Sequence, residues 1–534
     1  MPAYRFTSLK SSLIAIILFL AVSLPAIPAD TETAKQAYQR GLVHQKAHQT
    51  DQAILAYQMA ISLEPNHGAA HYEIGWSYWV LGEWQQVVSH WEAAQRLKVT
   101  ADDFKHYLTD ARNNLEGKLE PLVRAEIGSR AETKLPDGSS YSIELIARFQ
   151  HYNPRPVHNA DKFDRYIFSP KSVRFLPDGS KVYVNALEGF TTIIYDPRRL
   201  ARTGVIVHRF KERHQDLFKL GDGEIPWLAF PEDAPANPDV FSGKPVESEL
   251  AADGKYLWVP YYRRDFDHYS AMPSAVAIID VASDRIVRIM PTGPIPKYVV
   301  ASYDGKWMAV IHWGDNTVGF IDTRGTSPAD YRLGKLISVG KRLLLDTIDK
   351  KDRDHGCGFC LRGAVFTRDG QYLLVARMGG GGIAVIDVRT QRYLGTVRGM
   401  RQTPRHLVLS PDGNTLYLSS SFAGYVSAYH VDDLTAAARH RQSHLTPLRE
   451  THTGAATRTI AVSPDGRFVY AAINKESKIV VLAADTLTPL VSLPADSYPV
   501  GMAVSPDGHQ LWVTAQGRKR RGGNSVMVYR INTR

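Results

Sequence analysis

Seven Asp-Gly dipeptides carry the first chemical signal in this sequence. They stand at Asp178-Gly179, Asp253-Gly254, Asp304-Gly305, Asp369-Gly370, Asp412-Gly413, Asp465-Gly466 and Asp507-Gly508. Seven residues before each Asp lie Lys171, Val246, Lys297, Arg362, Arg405, Arg458 and Val500. Five of these seven are basic, where 64 Lys+Arg in 534 residues would place about one. Cations held at one register around a common axis repel, and an anionic ligand relieves that repulsion. Arg adds a planar fork suited to carboxylate or phosphate. The plainer alternative is a set of solvated bases paired with Glu247, Glu249 or Asp315. His312 and His406 fall on the same expected face and complete the ligand-binding candidates. A mostly basic ring repels a metal cation, so neither a metal nor a cofactor is expected. The chain has no Gly-x-Ser-x-Gly, His-Glu-x-x-His or phosphate loop, so no catalytic residue is assigned.

The elements that position this ring are short strands. Each Asp-Gly is followed by an apolar run, such as Lys181-Val-Tyr-Val, Tyr372-Leu-Leu-Val or Leu511-Trp-Val. Asp-Gly between such runs is a hairpin signal. The tightest repeat spacings, 42 and 43 residues, suit one four-stranded propeller blade. Pro170, Pro245, Pro296, Pro404 and Pro499 precede ring positions and fix φ where each innermost strand starts. The last blade ends at Val526-Met-Val-Tyr-Arg-Ile with three strands, so an upstream strand, Tyr141 to Phe149 or Val123 to Ile127, is expected to close it.

Ser-Pro-Asp-Gly at Ser410, Ser463 and Ser505, each followed by Leu-Tyr, Val-Tyr or Leu-Trp, resembles the YVTN family of β-propellers within the lactonase-like, seven-bladed group. The resemblance covers about 370 residues and implies a mainly β fold. Lactonase-like relatives use carboxylates and His for metal-assisted hydrolysis, whereas this ring is mostly Lys and Arg.

Ahead of the strands, Gly41, Ala53, Tyr57, Ala60 and Pro65 are matched 34 residues later by Gly75, Val87, Trp91, Ala94 and Val99. This resembles the tetratricopeptide repeat (TPR), with about two copies and a closing helix near Asp102 to Glu116. Tyr72, Trp76, Trp79 and Trp84 crowd the second copy. Some are repeat core; the others would line a short groove for a peptide or helix of another protein, and these four are the protein-binding candidates.

The two cysteines lie in His355-Gly-Cys357-Gly-Phe-Cys360-Leu361. Leu361 stands where haem attachment needs His. A local Cys357–Cys360 disulfide is expected, with a metal site using His355 as the alternative.

Arg5 and Lys10, an apolar run of twelve residues from Leu13 to Leu24 broken by Ser23, and Ile27-Pro28-Ala29 read as a signal peptide. The run is shorter than the roughly 20 residues a bilayer span needs. The expected organisation is therefore 1–29 signal, 30–117 helical TPR unit and 118–534 propeller. Residues 30–117 carry 7 bases and 11 acids, and 118–534 carry 55 and 43. That asymmetry suggests separate partners for the two units. The expected function is a periplasmic or secreted non-catalytic binding scaffold. Its propeller mouth would bind an anionic ligand or acidic partner, and its TPR unit would recruit a protein. Export argues against nucleic acid. A metal-assisted hydrolase and a non-catalytic subunit of an envelope redox complex are the alternatives.

Overall fold

The computed structural model describes residues 32–47, 49–81, 83–101, 104–115, 123–218, 241–264, 274–343, 352–517 and 523–534. The expected signal peptide lies outside the described residues. No described helix is long and apolar enough to cross a membrane.

Five helices come first: α1 (Ala34–Lys46), α2 (Thr50–Leu63), α3 (Gly68–Leu81), α4 (Trp84–Arg96) and α5 (Phe104–Leu115). Thr33 caps α1, its hydroxyl accepting the Gln36 N–H while the Gln36 side chain accepts the Thr33 N–H. The sequence period of 34 reappears as packing. Tyr57 of α2 lies flat against Gly41 of α1, and Trp91 of α4 lies against Gly75 of α3; a Cβ on either glycine would come within 2.3 Å of the ring.

Seven sheets follow among the described residues. Their innermost strands are Pro170–Phe175 (blade one), Phe241–Pro245 with Glu249–Leu250 (two), Pro296–Ala301 (three), Leu361–Phe366 (four), Pro404–Leu409 (five), Thr457–Val462 (six) and Pro499–Val504 (seven). The fold is thus mainly β: a seven-bladed propeller preceded by a few helices. Second strands such as Val182–Ala186 and Phe468–Ile473 are buried along their whole length. Both their faces meet neighbouring blades, which is why they are continuous apolar runs.

At all seven Asp-Gly turns the Gly is left-handed, with φ between +67° and +79°. The Asp carboxylate accepts the backbone N–H two residues on, as at Asp178 and Ser180 (2.9 Å). Open space surrounds Gly370, so Gly370→Ala is expected to cost only the backbone term, about 1 kcal/mol. Gly413→Ala places a Cβ 2.7 Å from the Arg368 Cβ and is expected to cost more, about 2 kcal/mol. Urea unfolding of the two variants checks this ranking.

Ring closure uses the first of the two expected upstream segments. Ser140–Gln150 runs antiparallel to Ser525–Thr533, with Tyr141 opposite Thr533 and Gln150 opposite Ser525. Arg130–Lys134 adds an outer strand absent from the sequence reading. Val123 and Ala125 instead bond to the loop after blade six: Ala125 N donates to Asp496 Oδ1 at 2.8 Å and Val123 N to Ser497 Oγ at 2.9 Å. Asp496 is fully buried and also accepts from Arg148 (3.1 Å) and Ser525 (2.6 Å).

Candidate functional site

In six blades the ring residue lies within a β-bulge. The register between first and second strands slips across Pro170/Ser172, Pro296/Tyr298, Leu361/Ala364, Pro404/His406, Thr457/Ile460 and Pro499/Gly501. The residue before each of these strands (Ser169, Ile295, Cys360, Thr403, Ala456 and Tyr498) has φ between +49° and +63°. A left-handed residue followed by a bulge turns the strand start inward and re-aims one side chain. In blade two the interruption is longer, spanning the gap between Pro245 and Glu249.

The bulged backbone is tied to the adjacent blade. Thr514 Oγ1 donates to Lys171 O (3.2 Å), Arg362 Nη1 to Lys297 O (3.0 Å), Ser419 Oγ to Arg458 O (2.6 Å) and Thr459 Oγ1 to Val500 O (2.5 Å). The ring geometry is therefore set by contacts between blades.

Lys171, Lys297, Arg362, Arg405 and Arg458 line one cavity of about 310 Å³, with Val246, Tyr262, Trp313, Asp354 and Gln516 also in its wall. Two bases have carboxylate partners. Arg362 pairs with Glu247 at 2.8 Å, and Lys297 with Asp354 at 2.6 Å while its ammonium sits 3.8 Å from the Trp313 ring centroid. Lys171 donates to the neutral Gln516 Oε1 at 3.3 Å, and Arg405 points an Nη1 at Met378 Sδ. Among the described residues, Lys171, Arg405 and Arg458 have no carboxylate within ion-pair distance.

Crowding shows in the protonation equilibria. Burial, only partly offset by Asp354, brings Lys297 down to about 7. Burial and the Arg362 charge bring Arg458 down to about 10. Lys171 and Arg405 are pushed well below their ordinary values, first by burial and then by Arg458 and their other cationic neighbours.

The histidines are placed differently. His406 follows Arg405 behind the ring, its Nε2 3.4 Å from Tyr298 Oη, and burial holds it near 3. His312 is not brought to the cavity. It is buried within blade three, where its Nε2 accepts from Gly293 N (3.0 Å) and its Nδ1 lies 2.8 Å from Thr317 Oγ1. Burial lowers it to about 4, so both are neutral near pH 7. Of the three acids expected near the ring, only Glu247 reaches it. Glu249 pairs with Arg174 and Asp315 with Arg342.

Asp354 was not legible as a ring partner. Its only sequence signal is its place just before the cysteine motif. Cys357 and Cys360 form a disulfide. The same loop receives the Trp313 Nε1–H at Asp354 O (3.0 Å), and the Phe359 N–H donates to Asn316 Oδ1 (2.8 Å). His355 is exposed, with its Nδ1 3.3 Å from Asp352. No described group of three or more His, Cys, Asp or Glu is placed to hold a metal.

Two of the four helical aromatics, Trp76 and Trp79, need a correction. Trp76 and Trp79 are buried, 8% and 1% exposed, and contact Trp91 at centroid separations of 4.7 and 5.2 Å. Phe104 and Tyr107 of α5 cover them, with Tyr72 meeting Phe104 and Trp84 meeting Trp79 edge-on. Trp76 and Trp79 thus belong to the packing between α3, α4 and α5, whereas Tyr72 and Trp84 lie half-buried at its margin.

A family model described as lactonase, 7-bladed beta-propeller, matches residues 363–534. No curated protein matches the chain. Similar solved structures include hydrazine synthase of Kuenenia stuttgartiensis, 15% identical, covering 68% of this chain and 95% of that chain with a TM-score of 0.48. Another is the Cps50 (Swd1) propeller domain of Myceliophteria thermophila, 14% identical, covering 68% and 97% with a TM-score of 0.48. A chain of a mitotic checkpoint complex is 12% identical, covering 71% and 96% with a TM-score of 0.46.

Proposed function

We propose that this chain is an exported, periplasmic or secreted binding protein rather than an enzyme. The central cavity of its propeller takes an anionic ligand or the acidic end of a partner. The observation that carries this reading is an imbalance among the described residues, five basic side chains in the cavity wall against Asp354 beside them and Glu247 paired with Arg362. Binding relieves a repulsion that the fold imposes, and the guanidinium groups of Arg405 and Arg458 supply forks without carboxylate partners. The paired glycine–aromatic contacts of α1–α4 support a TPR unit that recruits a second protein through surfaces other than the buried tryptophans.

Calorimetric titration of the full chain with inorganic phosphate and citrate, at low and physiological salt, tests the reading. Saturable binding that weakens with salt is expected; heats no larger than for Arg405→Gln/Arg458→Gln would remove it.

The cavity also sets a pH dependence. Lys297 titrates at about 7 folded, against about 10.4 in an unfolded chain. Below pH 7 both states hold the proton, and the native state carries the full cost of a buried cation. Between about 7 and 10.4 the unfolded chain binds more protons, so this group's contribution to stability rises with pH. An anion has the opposite preference because it favours the protonated ring. The melting temperature without ligand is expected to gain from Lys297 between pH 7 and 9, a gain that Lys297→Met abolishes. The shift induced by phosphate is expected to shrink over the same interval.

A further inference from the structure

We infer that the cavity captures a small oxo acid covalently, the Lys171 amine condensing with its carbonyl while Arg405 and Arg458 hold its carboxylate. This rests on the anion-binding reading above and adds a reaction to it.

The two lysines of the ring differ in the way the chemistry requires. Lys297 Nζ is held by Asp354 at 2.6 Å and lies over Trp313 and Tyr262, at 3.8 and 4.8 Å from the ring centroids. Asp354 favours its charged form, which offers no lone pair. Lys171 Nζ has a neutral acceptor, Gln516 Oε1, at 3.3 Å, and no carboxylate within ion-pair distance among the described residues. Gln516 is itself fixed by a 2.5 Å hydrogen bond to Ser169 Oγ. The Lys171 backbone is anchored by Thr514, so the amine projects from a fixed bulge into the cavity.

Burial and the neighbouring guanidinium groups favour the neutral amine. Placing an amine beside other cations is a general way to make lysine a nucleophile at neutral pH. The same cations bind the carboxylate of an oxo acid and present its adjacent carbonyl. The cavity, of about 310 Å³, has room for a short-chain acid.

The reaction balances without an oxidant or cofactor. The amine lone pair attacks the carbonyl carbon to give a carbinolamine. The former carbonyl oxygen then leaves as water with the two protons of the amine, and a carbon–nitrogen double bond remains. Hydrolysis returns both partners, so the capture is reversible.

The test uses the full chain with pyruvate and cyanoborohydride, which reduces any imine to a stable secondary amine, followed by peptide mass spectrometry. Modification of Lys171 by one reduced pyruvyl group is expected, about ten-fold or more faster than at the exposed Lys255 and Lys306 in the same digest. Excess inorganic phosphate is expected to suppress it, and Lys171→Arg to remove it. The comparison among lysines of the unaltered chain holds even if Lys171→Arg folds poorly. Labelling of Lys171 no faster than of Lys255 and Lys306, with phosphate binding retained, overturns covalent capture and leaves the anion site standing. Failure of both phosphate and pyruvate to bind overturns both.

Discussion

A chain lacking residues 123–150 is expected to lose the cooperative melting of its propeller altogether. The seventh blade takes its fourth strand from Ser140–Gln150, and the Tyr141, Ile143, Leu145, Ala147 and Phe149 side chains are all buried. Without them the Ser525–Thr533 strand becomes an open edge and blades one and seven lose their shared core. Burial of these side chains is worth about 1.5–3 kcal/mol for each of the larger ones, which together rivals the whole stability of a domain. A point variant isolates the polar half of the seam. Asp496→Ala leaves Arg148 with one carboxylate, Asp161, and strands the Ala125 N–H, at an expected cost of about 3–5 kcal/mol. A truncated chain that still melts in one transition near the full-length temperature would refute the closure argument.

The second large effect concerns the ring, where stability and binding are expected to move in opposite directions. Arg405→Gln with Arg458→Gln removes two half-buried charges that lack carboxylate partners among the described residues. We expect roughly a hundred-fold or greater loss of phosphate and citrate affinity, the equivalent of two charged hydrogen bonds. The melting temperature is expected to rise, because the repulsion that the ligand relieved is gone; a gain of about 1 kcal/mol is typical of such relief. Arg362→Gln is the contrasting variant. It breaks a buried pair with Glu247 and the hydrogen bond to Lys297 O, so it is expected to cost about 3–5 kcal/mol. Arg362 thus has a structural duty that Arg405 and Arg458 lack. Circular dichroism melts beside titration calorimetry separate these outcomes, and a double variant that binds as tightly as the parent chain would leave the ring without a ligand role.

The propeller was legible because its punctuation is local. Asp-Gly needs a left-handed glycine and an Asp that accepts the next-but-one N–H, requirements met within four residues, and seven repeats of them count the blades. The ring was legible for the same reason: a fixed distance from a fixed turn gives a fixed height on the inner strand. The helical glycine–aromatic pairs also show a short-range period, although the period alone did not separate buried from exposed tryptophans. That depended on α5, whose Phe104 and Tyr107 come from outside the repeat.

What the sequence determined by itself is therefore the repeated unit, its count, and which residue types stand at each strand start. Tertiary structure alone decided which cations are neutralised. Asp354 reaches Lys297 across 57 residues and Glu247 reaches Arg362 across 115, through pairings between blades that no local pattern encodes. It also decided that His312, on the second strand of blade three, turns into that blade, and that His406 stays behind the ring, since the bulge at Arg405 reverses the side-chain alternation from which facing is read.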